Sequence, residues 1–378
     1  MSNPFPPENT RPAESSLLPE NSLPAESLPL PENSLSSGNP FPANPDSFES
    51  FSTPEVFVVR ARPRRRYWLH GLLLLATLCT TTLVGVRLNY NFQHDLPAFS
   101  MQSNTLPLFP LLWVAEEPAR ILLGLPFSAT LLLILMAHEM GHFLIALHYG
   151  VDATLPHFIP APTLIGTLGA FIKIRSPIRT RAALFDIGSG GPFAGFALAF
   201  PVLVLAMRVS KPAASAWKGS DVVLGYPLVF HGVHWLLGVM GSGVGKVELD
   251  HVLLHPMAIA AWVGMFATSL NLLPGGQLDG GHIVYAAAPR LYRHIGRMTV
   301  SALFTMGLIG VLQQMGRLTE EWRGWPGWML WAVVVLVMGR KHPPVAEHPG
   351  LDRRRQWLAL AALALFVITF MPVPLFER

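Results

Sequence analysis

Between Trp68 and Phe370 the chain carries seven largely apolar runs, and no other feature restricts its possible folds as much. They are Trp68–Val86, Ile121–Leu147, Ala183–Met207, Val252–Leu273, Met298–Gln313, Gly327–Met338 and Trp357–Phe370. A helix of about 20 apolar residues crosses the roughly 30 Å hydrocarbon core of a bilayer with its backbone hydrogen bonds satisfied internally. Composition agrees: 51% of the 378 residues are hydrophobic and only 13% charged, against about 25% charge in a soluble domain. So little charge cannot cover a water-soluble globule. The predicted class is an all-α polytopic membrane protein, a multi-helix transmembrane bundle. The apolar stretch Val222–Met240, broken by Gly, Pro and two histidines, is expected to be interfacial or re-entrant.

A net charge of +4 and a pI near 9.4 would suit nucleic acid, but the basic residues lie between the apolar runs. With the N-terminus inside, one side of the membrane collects the cluster Arg60–Arg66, then Lys173, Arg175, Arg179 and Arg181, then Arg290, Arg293 and Arg297, and finally the group from Arg340 to Arg355. That is about twice the number on the opposite side, as the positive-inside rule requires. The prediction is a multi-pass protein of the cell membrane with the bilayer as partner, a cytosolic N-terminus and no nucleic acid. The single cysteine, Cys79, lies in an apolar run and reads as a small core residue; it excludes a disulfide framework.

Residues 1–60 differ sharply. They are rich in Pro, Ser, Asn and Glu, with the crude repeat LPENSLPAESLPLPENSL, and too poor in large apolar side chains to offset the entropy of ordering. A disordered cytosolic tail is expected. Its opening residues, MSNPFPPENT, have neither the basic nor the apolar region of a signal peptide. The further divisions expected are 61–120 (first transmembrane helix and external loop), 121–297 (catalytic membrane core) and 298–378 (C-terminal transmembrane helices).

Chemistry concentrates in two segments. The first, His138-Glu139-Met140-Gly141-His142, stands inside the second apolar run. On a helix, positions i and i+4 share a face, so both imidazoles can grip one metal ion, and Glu139 stands where it can take a proton from water on that ion. A charged side chain in a transmembrane helix costs about 2.5–3.5 kcal/mol on insertion scales, so such residues point to function. Zinc needs a third protein ligand and an open position. The second segment, Asn271-Leu272-Leu273-Pro274-Gly275-Gly276-Gln277-Leu278-Asp279-Gly280-Gly281-His282, offers Asp279 in a Pro/Gly-rich break after an apolar run. The topology puts both half-sites near the cytosolic side. His138, His142 and Asp279 are therefore predicted to hold one Zn2+, with Glu139 as catalytic base.

These paired motifs, in this order and both embedded in apolar sequence, resemble the site-2 protease family of intramembrane zinc metalloproteases. The resemblance covers about residues 120–300, including Gly190-Gly191-Pro192 at the opening of the helix between the half-sites. It implies a three-helix catalytic core, His138, His142 and Asp279 as zinc ligands, Glu139 as base, and membrane proteins with a transmembrane segment as substrates. It also implies that Asn271 binds substrate backbone, although a helix C-terminal cap accounts for that residue equally well. Many bacterial members carry a PDZ domain that the interval 208–251 is too short to hold.

A helical substrate must be unwound before its backbone can be cut. The β-prone segment Gly166–Ile174 is expected to form a membrane-associated hairpin whose edge pairs with an extended substrate, or else a plain connecting hairpin; on the first reading Gly169 and Phe171 touch substrate. His251 and His255 are expected to form an interfacial polar pair at the outer end of their helix, and His282 is close enough to Asp279 to support the site. Two other functions use the same residues: a metal-ion transporter, which would stack further polar groups through the helices, and a non-catalytic membrane scaffold, which would have lost Glu139 or a ligand.

Overall fold

The computed structural model describes residues 67–100, 106–213, 222–319, 322–339, 345 and 350–377. The predicted disordered tail and the cluster Arg60–Arg66 lie outside the described residues. The chain divides into two units, and everything below concerns the second, Arg64–Arg378.

Helices dominate, as the apolar runs require. Helix α1 (Tyr67–Gln93) presents Thr77, Thr81 and Thr82 inward; the first two return their hydroxyls to carbonyls of the preceding turn, and Thr82 Oγ1 donates to Ser128 Oγ at 2.9 Å. After the short helix α2 (Leu111–Glu116) and a 3-10 turn, α3 (Leu125–His148) runs back through the bundle. A hairpin follows: β1 (His157–Pro160) pairs antiparallel with β2 (Thr167–Phe171), with a register irregularity between Phe158 and Pro160. The expected hairpin therefore forms, and Thr80 Oγ1 donates to the Gly166 carbonyl at its tip at 2.7 Å, anchoring it to α1.

Helix α4 (Arg181–Val209) begins where the Thr180 side chain accepts from the Ala183 N–H. It runs straight through Gly190–Pro192, so that segment lies inside the helix rather than at its opening. The following strand β3 (Lys211–Pro212) pairs with β5 (Val252–Leu253). Between them, Val222–Met240 resolves into β4 (Val222–Leu224) and α5 (Leu228–Val239). The second of the two motif segments, Asn271–His282, then ends α6 (Pro256–Asn271) and opens α7 (Asp279–Ala287), while the first lies on α3. Three more helices, α8 (Tyr292–Gln314), α9 (Gly327–Met338) and α10 (Arg353–Thr369), lead to β6 (Leu375–Glu377), which pairs with β4.

The largest core lies where α1, α3, α4, α5 and α6 meet, around Leu88, Leu131, Ile134, Leu203, Phe230 and Met265. Among the described residues four helices are long and apolar enough to cross a membrane: α1, α3 with its leading 3-10 turn, α4 and α8. The other three predicted spans are helices of 16 (α6), 12 (α9) and 17 residues (α10). Periodicity alone does not distinguish a full span from a shorter helix buried against its neighbours.

Two expectations are corrected. Cys79 is exposed on the outer face of α1 rather than packed in the core, because the threonine face of that helix turns inward. His251 and His255 share no helix: His251 ends a 3-10 turn, and His255 caps α6, its ring accepting from the Met257 N–H. The proline at position 256 sets the start of α6 and separates them.

Trp328 on α9 is fully buried, and its Nε1 donates to the Pro372 carbonyl at 2.6 Å. Trp328→Ala should cost about 3–5 kcal/mol and lower the unfolding midpoint in detergent, whereas Trp357→Ala, at a side chain 65% exposed, should leave it nearly unchanged.

Candidate metal centre

Helix α3 is built from Leu, Ile, Met and Ala, and its one ionisable cluster faces inward. His138, Glu139 and His142 are 5%, 6% and 7% exposed. This burial needs a neighbouring helix that comes very close, and α4 supplies one. A Cβ at Gly191 would fall on the imidazole of His142, and one at Gly195 would lie 3.2 Å from the Cβ and Nδ1 of His138. Only glycine at 191 leaves room for the ring. With the backbones this near, His142 Nδ1 donates to the Ile187 carbonyl at 2.6 Å. That bond fixes the proton on Nδ1 and leaves the Nε2 lone pair facing the site.

Asp279 arrives from the other side. The break after α6 turns at Gly276, whose φ of +65° an L side chain adopts only with strain. Helix α7 then folds back so closely that a Cβ at Gly280 would strike the Leu272 carbonyl. Irregular backbone at membrane depth must be satisfied by protein, and α8 does this: Tyr292 Oη donates to the Gly276 carbonyl at 2.7 Å and Thr299 Oγ1 to the Pro274 carbonyl at 3.1 Å.

The three predicted ligands meet. His138 Nε2 and His142 Nε2 are 3.2 Å apart, and Asp279 Oδ2 lies 3.3 Å from the first and 3.1 Å from the second. Donor atoms about 2.0–2.2 Å from a tetrahedral zinc are separated by roughly 3.3–3.5 Å, so the edges of this triangle fit. Two imidazoles and a carboxylate converging at such distances are a donor set that suits a cation between them. Among the described residues this is the one group of three or more His, Cys, Asp or Glu side chains arranged to hold a metal ion.

The other predicted residues border the same centre. Glu139 shares the wall of a cavity with Ile172, just past β2. Asn271, the last residue of α6, brings Nδ2 to 3.1 Å from His138 Nε2. Glu139, His138 and Asn271 line two cavities, of about 330 Å³ and 300 Å³. Gly169 lies on the wall of the first, and Phe171 and His282 on that of the second. Phe171 is 46% exposed and stacks on His157 at a centroid distance of 5.2 Å. Sequence reasoning missed three contributors. The Ile187 carbonyl carries no side-chain signal. Trp331 and Met338 of α9 line the cavities but look like ordinary apolar residues of a late helix.

The model of Peptidase family M50 matches residues 126–313, a stretch that contains both half-sites. Over 316 residues the chain is 33% identical to "Probable zinc metalloprotease EGY1, chloroplastic" of Arabidopsis thaliana, covering 82% of this chain and 53% of that protein. The rice (Oryza sativa subsp. japonica) protein of the same description is 32% identical over 66% of this chain and 41% of its own length. "Probable zinc metalloprotease EGY2, chloroplastic" of Arabidopsis thaliana is 27% identical over 75% and 46%. The chain thus spans about half the length of these relatives.

Gly191→Ala places a methyl group where the His142 ring now lies. It should weaken zinc binding by about 10–100-fold, read by chelator competition, while Gly71→Ala, at a position with open space around it, should bind zinc as the wild type does.

Proposed function

The chain belongs to peptidase family M50, the site-2 protease family, and from that premise we propose that it is an intramembrane zinc metalloendopeptidase. Its substrates are membrane proteins, cut in or beside a transmembrane segment. The observation that carries this reading is the convergence of His138, His142 and Asp279 with Glu139 beside them, inside a helical bundle. His138, His142 and Asp279 hold the ion, and Glu139 is the base.

When bound, zinc supplies a Lewis acid for the scissile carbonyl and lowers the pKa of the attacking water toward about 7. The chain's own residues do the rest. Glu139 takes the proton of that water as its oxygen attacks the carbonyl carbon, and delivers it to the amine nitrogen as the C–N bond breaks. The Ile187 carbonyl keeps the His142 ring turned so that Nε2 points inward. Asn271 Nδ2 stands at the open edge of the centre, within reach of a substrate carbonyl.

Substrate enters as an extended strand along β2. Two facts support this. The hairpin has two strands only, and β2 residues border the cavity that holds His138 and Glu139. Gly169, with φ of +99° and no atom within 4 Å of a Cβ built there, leaves the backbone open to a paired chain. Phe171 forms an apolar wall beside it. The bilayer is the other partner. The basic loops support an orientation with the N-terminus and the catalytic side in the cytosol at the cell membrane; the chloroplast named for the plant relatives is theirs. Transport of metal ions would need a second metal-holding station along the helices, and among the described residues His138, His142 and Asp279 are the one such group of His, Cys, Asp or Glu side chains.

Cleavage of a co-expressed single-span reporter tests the reading. Glu139→Gln should retain zinc yet lose about 10²–10⁴-fold in cleavage rate, and His138→Ala should lose both. Cleavage by Glu139→Gln at the wild-type rate would overturn the proposal.

A further inference from the structure

The family match ends at residue 313, and the charged group that fastens α10 to the catalytic helices lies well beyond it. Arg355, in the first turn of α10, donates from Nε to Asp186 Oδ1 at 2.9 Å and from Nη2 to Asp186 Oδ2 at 2.7 Å, a two-pronged grip. The same Nη2 reaches Tyr149 Oη at 3.0 Å, and that hydroxyl donates to Asp186 Oδ2 at 2.5 Å. Nη1 of Arg355 bonds Asp352 Oδ1 at 2.9 Å. Burial and the adjacent Asp186 push the Tyr149 phenol above its ordinary value, so its hydroxyl keeps the proton it donates.

Asp186 immediately precedes Ile187, whose carbonyl accepts from His142 Nδ1. Tyr149 follows His142 by two helical turns. The two helices are therefore tied twice over a short distance, once by the cluster of Tyr149, Asp186 and Arg355 and once by the bond that orients a ligand. A shift of this turn of α4 that lengthens the 2.6 Å bond by about 1 Å takes the Ile187 oxygen out of hydrogen-bond reach. Apolar contacts of α10 with Leu184 and Phe185 press on the same turn but fix no register.

We propose that Arg355 is a positioning residue for the metal centre. Gripping Asp186, it sets the axial position of α4 at which the Ile187 carbonyl holds His142, so a helix outside the family core tunes metal affinity. The inference rests on the reading of His138, His142 and Asp279 as metal ligands.

The test uses the full chain in detergent micelles, with Zn2+ affinity measured by competition against a chromophoric chelator and the visible absorption of the Co2+ form as the signature of ligand geometry. Arg355→Gln should weaken Zn2+ binding by about 10-fold or more and shift the Co2+ band. Tyr149→Phe should move both in the same direction by less, and Arg355→Lys should recover part of the loss. Arg354→Gln, a neighbour exposed on the same turn, should match the wild type. Wild-type affinity and an unshifted band in both Arg355→Gln and Tyr149→Phe would overturn the proposal. So would an equal loss of affinity, per degree of lost thermal stability, in Trp328→Phe, which loosens the core elsewhere. Should Arg355→Gln fail to fold, Tyr149→Phe and Arg355→Lys decide. A folded wild type that binds no Zn2+ identifies a different failure, that of the ligand assignment itself, and this inference falls with it.

Discussion

Three lone pairs pointed at one small volume are the constraint on which the rest of this structure depends. Two imidazoles and a carboxylate are expensive to bring together away from water, and a cation between them, with helices that cannot move apart, offsets that cost. Much of the core serves that end. Glycines on α4 let it lie against the histidine face of α3, the Ile187 carbonyl fixes one ring, and α8 satisfies the broken backbone that delivers Asp279. Each feature makes sense as a condition for holding the centre, and none is needed by a bundle that merely spans a bilayer.

The hairpin adds a second layer. It is tied to α1 through Thr80, and its second strand shares a cavity wall with the proposed base. Cavities on either side of Glu139 leave space for a chain to pass the metal centre without displacing core side chains. Helix α9 closes the far walls with Trp331 and Met338.

Much of this was legible in the amino-acid order, for identifiable reasons. The HExxH spacing on a helix determines a shared face, and a Pro/Gly break bearing one acidic residue in apolar sequence has few uses, so His138, Glu139, His142 and Asp279 stood out from their chemistry. The hairpin was visible because β-prone residues followed a glycine between two helical runs. Other features were not. Ile187 acts through its carbonyl, which every residue possesses. Arg355 looks like one more arginine in a basic loop until the fold brings it to Asp186. The limits of α6, α9 and α10 escaped because a short helix covered by neighbours is as apolar as one that crosses lipid. Cys79 faces outward because the threonines beside it, not the apolar side chains, mark the inward face of α1, which hydrophobicity alone does not reveal.

The modest length of those three helices has a mechanical result. At 1.5 Å per residue, helices of 16, 12 and 17 residues rise about 24, 18 and 26 Å, less than the roughly 30 Å thickness of an average hydrocarbon layer. Helix α6 is buried among its neighbours, but α9 and α10 carry exposed apolar side chains such as Leu330, Val333, Leu360 and Leu363, and a short helix that faces lipid is met by a thinner bilayer. A thinner leaflet on that flank brings the headgroup region and its water nearer to the depth of His138, His142 and Asp279.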